Sequence, residues 1–129
     1  MQEPEFLTWE IIAELHEGSL RRFGGASGVR DKGVIESALG VARNAWCYGG
    51  DLFDVSASYA FHITEAQGFL DGNKRTGVAA ALVFLEGNGV FIRGGDREIY
   101  EAMIAIAEKR LDKKGLVQVL RVLAESSSQ

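Results

Sequence analysis

Apolar residues recur along most of the chain at a spacing of three to four, the signature of helices that bury one face. Thr8 precedes the first such run as a natural N-cap, Glu10 lies in the first turn, and Ile11, Ile12, Leu15, Leu20 and Phe23 follow. Gly24-Gly25 predicts the stop of that helix. Asp31 opens a second, with Val34, Ile35, Leu39 and Val41 on its apolar face. Asn44–Asp51, NAWCYGGD, reads as a loop with three large side chains embedded in it. A third helix is expected from about Asp54 to Ala66, with Val55, Tyr59, His62, Ile63 and Ala66 on one side. A fourth, from about Lys74 to Glu86, is apolar nearly all round and belongs at the centre of the fold. Gly87-Asn88-Gly89 ends it in left-handed style, and Val90–Ile92 reads as a short extended piece. Asp96 caps a fifth helix, Arg97–Leu111, acidic early and basic late to suit the helix dipole. Asp112 caps a sixth, Lys113–Ala124, and the polar tail Glu125–Gln129 is expected to be frayed. The pattern predicts an all-α class: a compact bundle of about six helices in one domain, 1–129, without repeats.

Composition changes this picture little. A chain of 129 residues fits one domain and buries about two thirds of its unfolded surface. The net charge of −4 excludes a global basic field, so direct nucleic-acid binding is not expected and any anion site must be local. Cys47 is the single cysteine, which rules out an internal disulfide and suits a reducing cytoplasm; such a residue is more often a small buried hydrophobe than a nucleophile. The N-terminal MQEPEFLTWE has no basic or apolar signal region, and no apolar run approaches membrane-spanning length. Of sixteen glycines, those at Gly24-Gly25-Gly28, Gly49-Gly50, Gly87-Gly89 and Gly94-Gly95 cluster at the joints between predicted helices.

The chemistry concentrates in Phe69–Arg75, FLDGNKR. A helix follows it, so unpaired N–H groups point back into the loop. Gly72 admits close backbone approach, Asn73 offers a short amide able to cap the helix or orient a substrate oxygen, and Lys74 and Arg75 supply a point charge and a planar fork for phosphate. Asp71 repels phosphate unless a cation intervenes, which makes it a candidate Mg2+ ligand. Asp-Gly-Asn-Lys is also ordinary turn chemistry. Against that bland reading, positive charge opening the most apolar helix is unfavourable without a compensating anion.

QGFLDGNKRTGVAAALVFLEGNG resembles the core motif of the Fic/Doc family, and more closely its Doc (death-on-curing) branch. The pattern is His-x-Phe-x-(Asp/Glu/Ala)-(Gly/Ala)-Asn-(Gly/Lys)-Arg, matched at Phe69, Asp71, Gly72, Asn73, Lys74 and Arg75. GVRDKGVIESAL (Gly28–Leu39) and YAFHI (Tyr59–Ile63) extend the resemblance over most of the chain. It implies a six-helix fold with a short flap, ATP and Mg2+ as cofactors, and transfer of part of the nucleotide to a protein hydroxyl. Phe69, Gly72, Asn73, Lys74 and Arg75 would bind the nucleotide, Asp71 the metal, and Asn73 and Arg75 would also serve catalysis. Fic enzymes typically move AMP, whereas Doc proteins move the terminal phosphate of ATP to elongation factor Tu and stop translation. Lys74 in place of the usual Gly, and Val78 in place of a second Arg, favour the Doc side. No Ser/Thr-x-x-x-Glu-Gly/Asn inhibitory motif is present, so a separate antitoxin protein is the expected inhibitor.

The motif histidine falls at Gln67. A glutamine amide cannot take a proton near neutral pH. Slow transfer, a silent nucleotide binder and an engineered substitution therefore all stay open; AMP transfer in place of phosphate transfer is a separate alternative that turns on Val78. His62, about 140° around the helix from position 67, reads as packed or capping, and His16 as surface or structural. Arg30, Asp31 and Glu36 read as an ion-pair and cap network on the second helix, in preference to a border of the active-site groove. Trp46, Cys47 and Tyr48 fall where the family carries its target-aligning flap; the alternative is a loop plugged into the core by its aromatics.

Overall fold

Six helices follow one another in the computed structural model, which describes residues 2–128: α1 Trp9–Phe23, α2 Lys32–Cys47, α3 Leu52–Ala66, α4 Asn73–Gly87, α5 Asp96–Ala107 and α6 Lys113–Ser127. There is no strand among the described residues, only an isolated antiparallel bridge between Val29 and Phe69. No helix among them is long and apolar enough to cross a membrane.

Short oxygen-bearing side chains start the helices as expected. Thr8 Oγ1 accepts from Ile11 N–H, Asp31 from Val34 N–H and Asp112 from Gly115 N–H. Asp51 adds a cap: its Oδ1 accepts from Phe53 and Asp54 N–H, while Asp54 Oδ2 accepts from Asp51 N–H.

Several boundaries differ from the sequence reading. Asn44–Cys47 is the last turn of α2 rather than loop, because the helix breaker is Gly49-Gly50, not the bulky residues before it. Cys47 and Tyr48 are exposed, and Val41 points outward while the small Ala38 and Ala42 face α3. Asp96 is the first residue of α5, whose N-cap is Gly95. That helix ends at Ala107, since Lys109 is left-handed at φ 62°, and the basic residues expected in its last turn lie beyond it. Val90–Ile92 pairs with no strand. α6 runs three residues past Ala124, its end tied down by Ser127, whose Oγ accepts from Arg93 N–H and donates to Leu123 O. Gln129 lies outside the described residues.

α3 is the hub, packing on α2, α4 and α6, while α4 packs on α3, α1 and α5. The core joins Tyr59 and Ile63 of α3 to Phe84 and Leu85 of α4, with Ile12, Ile99, Leu116 and Leu120 closing around them. Tyr59 is fully buried and its hydroxyl accepts from Leu7 N–H, which anchors the N-terminal segment; burial also raises its pKa. The α3–α4 contact is close because residue 77 has no side chain. A Cβ there would sit 2.5 Å from Thr64 Oγ1 and 2.8 Å from Ala60 O. One turn on, buried Ser56 Oγ donates to Ala81 O at 2.9 Å. Gly77→Ala is therefore expected to lower stability by about 1–3 kcal/mol through overpacking. A urea midpoint equal to that of the parent protein would contradict this close approach.

Candidate active-site loop and cleft

α3 stops at Gln67, a left-handed C-cap (φ 51°, ψ 40°), and α4 begins at Asn73. The loop between them is pinned from both sides. On one side it pairs with the α1–α2 connection. Arg30 N–H and Asp31 N–H donate to Gly68 O, Leu70 N–H donates to Gly28 O, and the Arg30 guanidinium donates to Gln67 O. On the other side, Phe69 is buried and its ring stacks on those of His16 and Trp9. Asn73, also buried, closes the turn: Oδ1 accepts from Phe69 N–H and Nδ2 donates to Phe69 O, both at 3.0 Å. It is thus a loop clamp rather than the helix cap expected from sequence. The cap is Gly72, with φ 77° and no side chain to satisfy the helix amides.

The first intrahelical bond of α4 runs from Thr76 N–H to Gly72 O. The N–H groups of Asn73, Lys74 and Arg75 precede it and have no acceptor within the helix. Lys74 and Arg75 are exposed beside them, and neither joins an ion pair among the described residues. The Arg75 guanidinium lies over the Phe23 ring, 4.7 Å from its centre. Asp71 is exposed, and both its oxygens are engaged: Oδ1 accepts from Gly72 N–H at 2.8 Å and Oδ2 from Ala26 N–H at 3.2 Å. The Ala26 and Gly72 amides hold its carboxyl below the usual carboxylate range, and the charges of Arg75 and His16 add to the effect.

These groups share one open cleft of about 580 Å³. Gln67, Asp71, Gly72, Asn73, Lys74 and Arg75 line it, with Phe69 beneath as the loop's anchor. Sequence reasoning missed the remaining walls: Phe23 with Gly24-Gly25 at the end of α1, Leu70, and Tyr100 from α5. The aromatic–double-glycine junction was a visible signal; Tyr100 carried none. The Gln67 side chain is held locally, its Nε2 donating to Thr64 O at 2.8 Å and its Oε1 lying 3.5 Å from Asn73 Nδ2.

Other candidates lie elsewhere. Trp46 and Tyr48 do not line the cleft; Tyr48, 88% exposed, borders a separate hollow with Lys113 and Lys114. The segment laced to the loop is instead Gly28–Asp31, so Arg30 binds the loop at Gln67 O and joins no ion pair among the described residues, whereas Asp31 is the expected cap. Glu36 is exposed and joins no ion pair among the described residues. His62 accepts from Lys113 Nζ at 2.9 Å; burial first, and the lysine charge second, lower its pKa. His16 is buried, 4% exposed, rather than on the surface. No group of three or more His, Cys, Asp or Glu side chains is placed to hold a metal ion among the described residues. A cation at Asp71 would have to complete its shell with water and with oxygens brought by a ligand.

A model of the Fic/DOC family matches residues 6–85. The chain is 35% identical over 120 residues to a protein of Escherichia phage P1 named "Protein kinase doc", covering 92% of this chain and 94% of that one. It is 44% identical over 91 residues to a protein of Mycolicibacterium smegmatis named "Toxin Doc", covering 67% of this chain and 66% of that one.

The Asp71 geometry has a pH consequence. Its pKa is depressed in the folded state, so its hold on the loop is complete above the ordinary carboxylate range and is lost only as pH falls through the lowered folded value. Amide exchange at Ala26 and Gly72 should stay slow through the ordinary carboxylate range and accelerate below it. Acceleration within the ordinary range would contradict the two N–H bonds.

Proposed function

The chain belongs to the Fic/DOC family, and from that premise we propose that it is a Doc-type toxin that transfers the terminal phosphate of ATP to a hydroxyl of a translation factor such as elongation factor Tu. The observation that carries this reading is the convergence, in one cleft, of two cations without ion-pair partners, three helix-start amides and an ionised aspartate. That set suits a phosphate chain with a magnesium ion on it, not a free metal.

In this reading Lys74, Arg75 and the amides of residues 73–75 hold the phosphates, and Asp71 takes the nucleotide-bound Mg2+, which when present would neutralise charge on the phosphate oxygens. Asn73 keeps the loop in register through Phe69. The phosphoryl group leaves ADP and bonds to the acceptor oxygen, whose proton goes to solvent. Gln67 stands at the cleft with an amide that can orient a hydroxyl but not take its proton. Phosphoryl transfer tolerates this better than most reactions, since positioning and charge stabilisation supply most of its catalysis. Val78 is buried, so α4 offers no second cation one turn beyond Arg75; that supports phosphate transfer over AMP transfer. A cytoplasmic setting and an antitoxin protein that covers the cleft complete the proposal.

One observation favours a second reading, a nucleotide binder without transfer. The Gln67 amide is already engaged by Thr64 and by Asn73.

The test incubates the protein with Mg2+ and ATP labelled at the α or the γ position, together with elongation factor Tu or a lysate. Label from γ on one band supports the proposal; label from α supports AMP transfer. No label in the parent protein, with label recovered in Gln67→His, supports the silent binder, and a restored base should raise the rate by about 10²–10⁴-fold. Lys74→Ala or Arg75→Ala should weaken ATP binding by about tenfold or more. Unchanged binding in both would overturn the phosphate-gripping role of the loop.

A further inference from the structure

Behind the cleft, out of reach of any ligand in it, aromatic rings stack in a column. Trp9 and Phe69 lie 6.1 Å apart at 15°, Phe69 and His16 3.8 Å apart at 9°. Trp9 and His16 are two turns apart on α1, about 10.5 Å of helix rise, so Phe69 fits between them. Lys32 lies over the Trp9 face, 5.1 Å from its centre.

An apolar ring at position 16 would serve such a column equally well. Histidine adds one thing, a ring N–H. His16 Nε2 lies 2.8 Å from the backbone oxygen of Asp71, an acceptor, so Nε2 carries the proton and donates. A trans peptide points its N–H opposite to its C=O. Drawing the Asp71 carbonyl inward to His16 therefore turns the Gly72 N–H outward, where Asp71 Oδ1 captures it; Oδ2 then reaches Ala26 N–H. The orientation of the carboxylate follows from the orientation of the peptide behind it.

We propose that His16 is the positioning residue of the anion loop: through the Asp71 carbonyl it aims the Asp71 carboxylate at the cation that a bound nucleotide carries. The role of the cation rests on the function proposed above. The hold on the loop does not.

Two substitutions separate the ring from its proton. His16→Phe keeps the stack and removes the donor; His16→Gln restores an N–H near the position of Nε2. Three measurements apply to each: amide exchange at Gly72 and Ala26, ATP affinity in Mg2+ and in EDTA, and the thermal midpoint. For His16→Phe the expected result is exchange at those two amides faster by about tenfold, loss of the Mg2+-dependent gain in ATP affinity, and unchanged ATP affinity in EDTA. His16→Gln should recover the Mg2+-dependent gain. Unchanged exchange at both amides in His16→Phe overturns the proposal, as does an equal loss of affinity in Mg2+ and EDTA, which marks general damage. If the parent protein binds no ATP, the nucleotide reading falls, and amide exchange alone decides whether His16 holds the loop. If His16→Phe does not fold, nitrogen-15 spectra of the parent protein decide: a slowly exchanging proton on His16 Nε2 is expected, and a proton on Nδ1 alone overturns the assignment.

Discussion

The fold of the loop depends on the burial of Phe69. The residues after it, Asp71 to Arg75, are mostly charged or polar and cannot collapse on their own in water. Phe69 sits in the core with 2% of its surface exposed, a burial worth about 1.5–3 kcal/mol. Its backbone N–H and C=O, which burial would otherwise leave costly, are both met by the Asn73 side chain. One apolar ring and one amide thereby fix the chain on either side of Leu70–Gly72. The charged side chains can then face solvent in a defined arrangement.

That anchor holds because the helices on either side cannot drift. α3 and α4 lie close enough that Gly77 has no room for a methyl group beside Thr64 and Ala60, and Ser56 bonds across to Ala81. The distance between the end of α3 and the start of α4 is set by this contact. α1 supplies the opposite wall, with Trp9 and His16 behind the loop and Phe23 in front, while the α1–α2 connection pairs with Gly68 and Leu70. The cleft is thus built by elements distant in sequence and joined through one short turn.

Much of this was legible in the chain. Six helices, caps at Thr8, Asp31 and Asp112, and the glycine stops could be read because their causes are local: hydrogen bonds to the next turn and a backbone that glycine alone adopts easily. The loop was equally readable, since Phe69 to Arg75 are contiguous. What could not be read came from contacts with no local signature. Nothing near Tyr100 announces that α5 brings it to the cleft, and nothing near His16 announces an acceptor 55 residues away. Trp46 and Tyr48 suggest a flap because they fall where the resembled family carries one, in a stretch that reads as loop; α2 simply continues through Cys47. Asp96 and Asp31 look alike in sequence, and only the turn geometry at Gly95 decides which caps and which is already inside its helix.

Gln67 lies at the edge of this framework. It is exposed, it occupies the left-handed region, and its amide meets only Thr64 O at the end of α3 and the Asn73 side chain. Histidine also tolerates that backbone region better than most residues. In the genetic code the histidine and glutamine codons differ only in their third base. A single nucleotide therefore separates this chain from one with an imidazole at this corner of the cleft. One point mutation thus exchanges the side chain that borders the cleft at position 67, while the turn asks the same backbone of either residue.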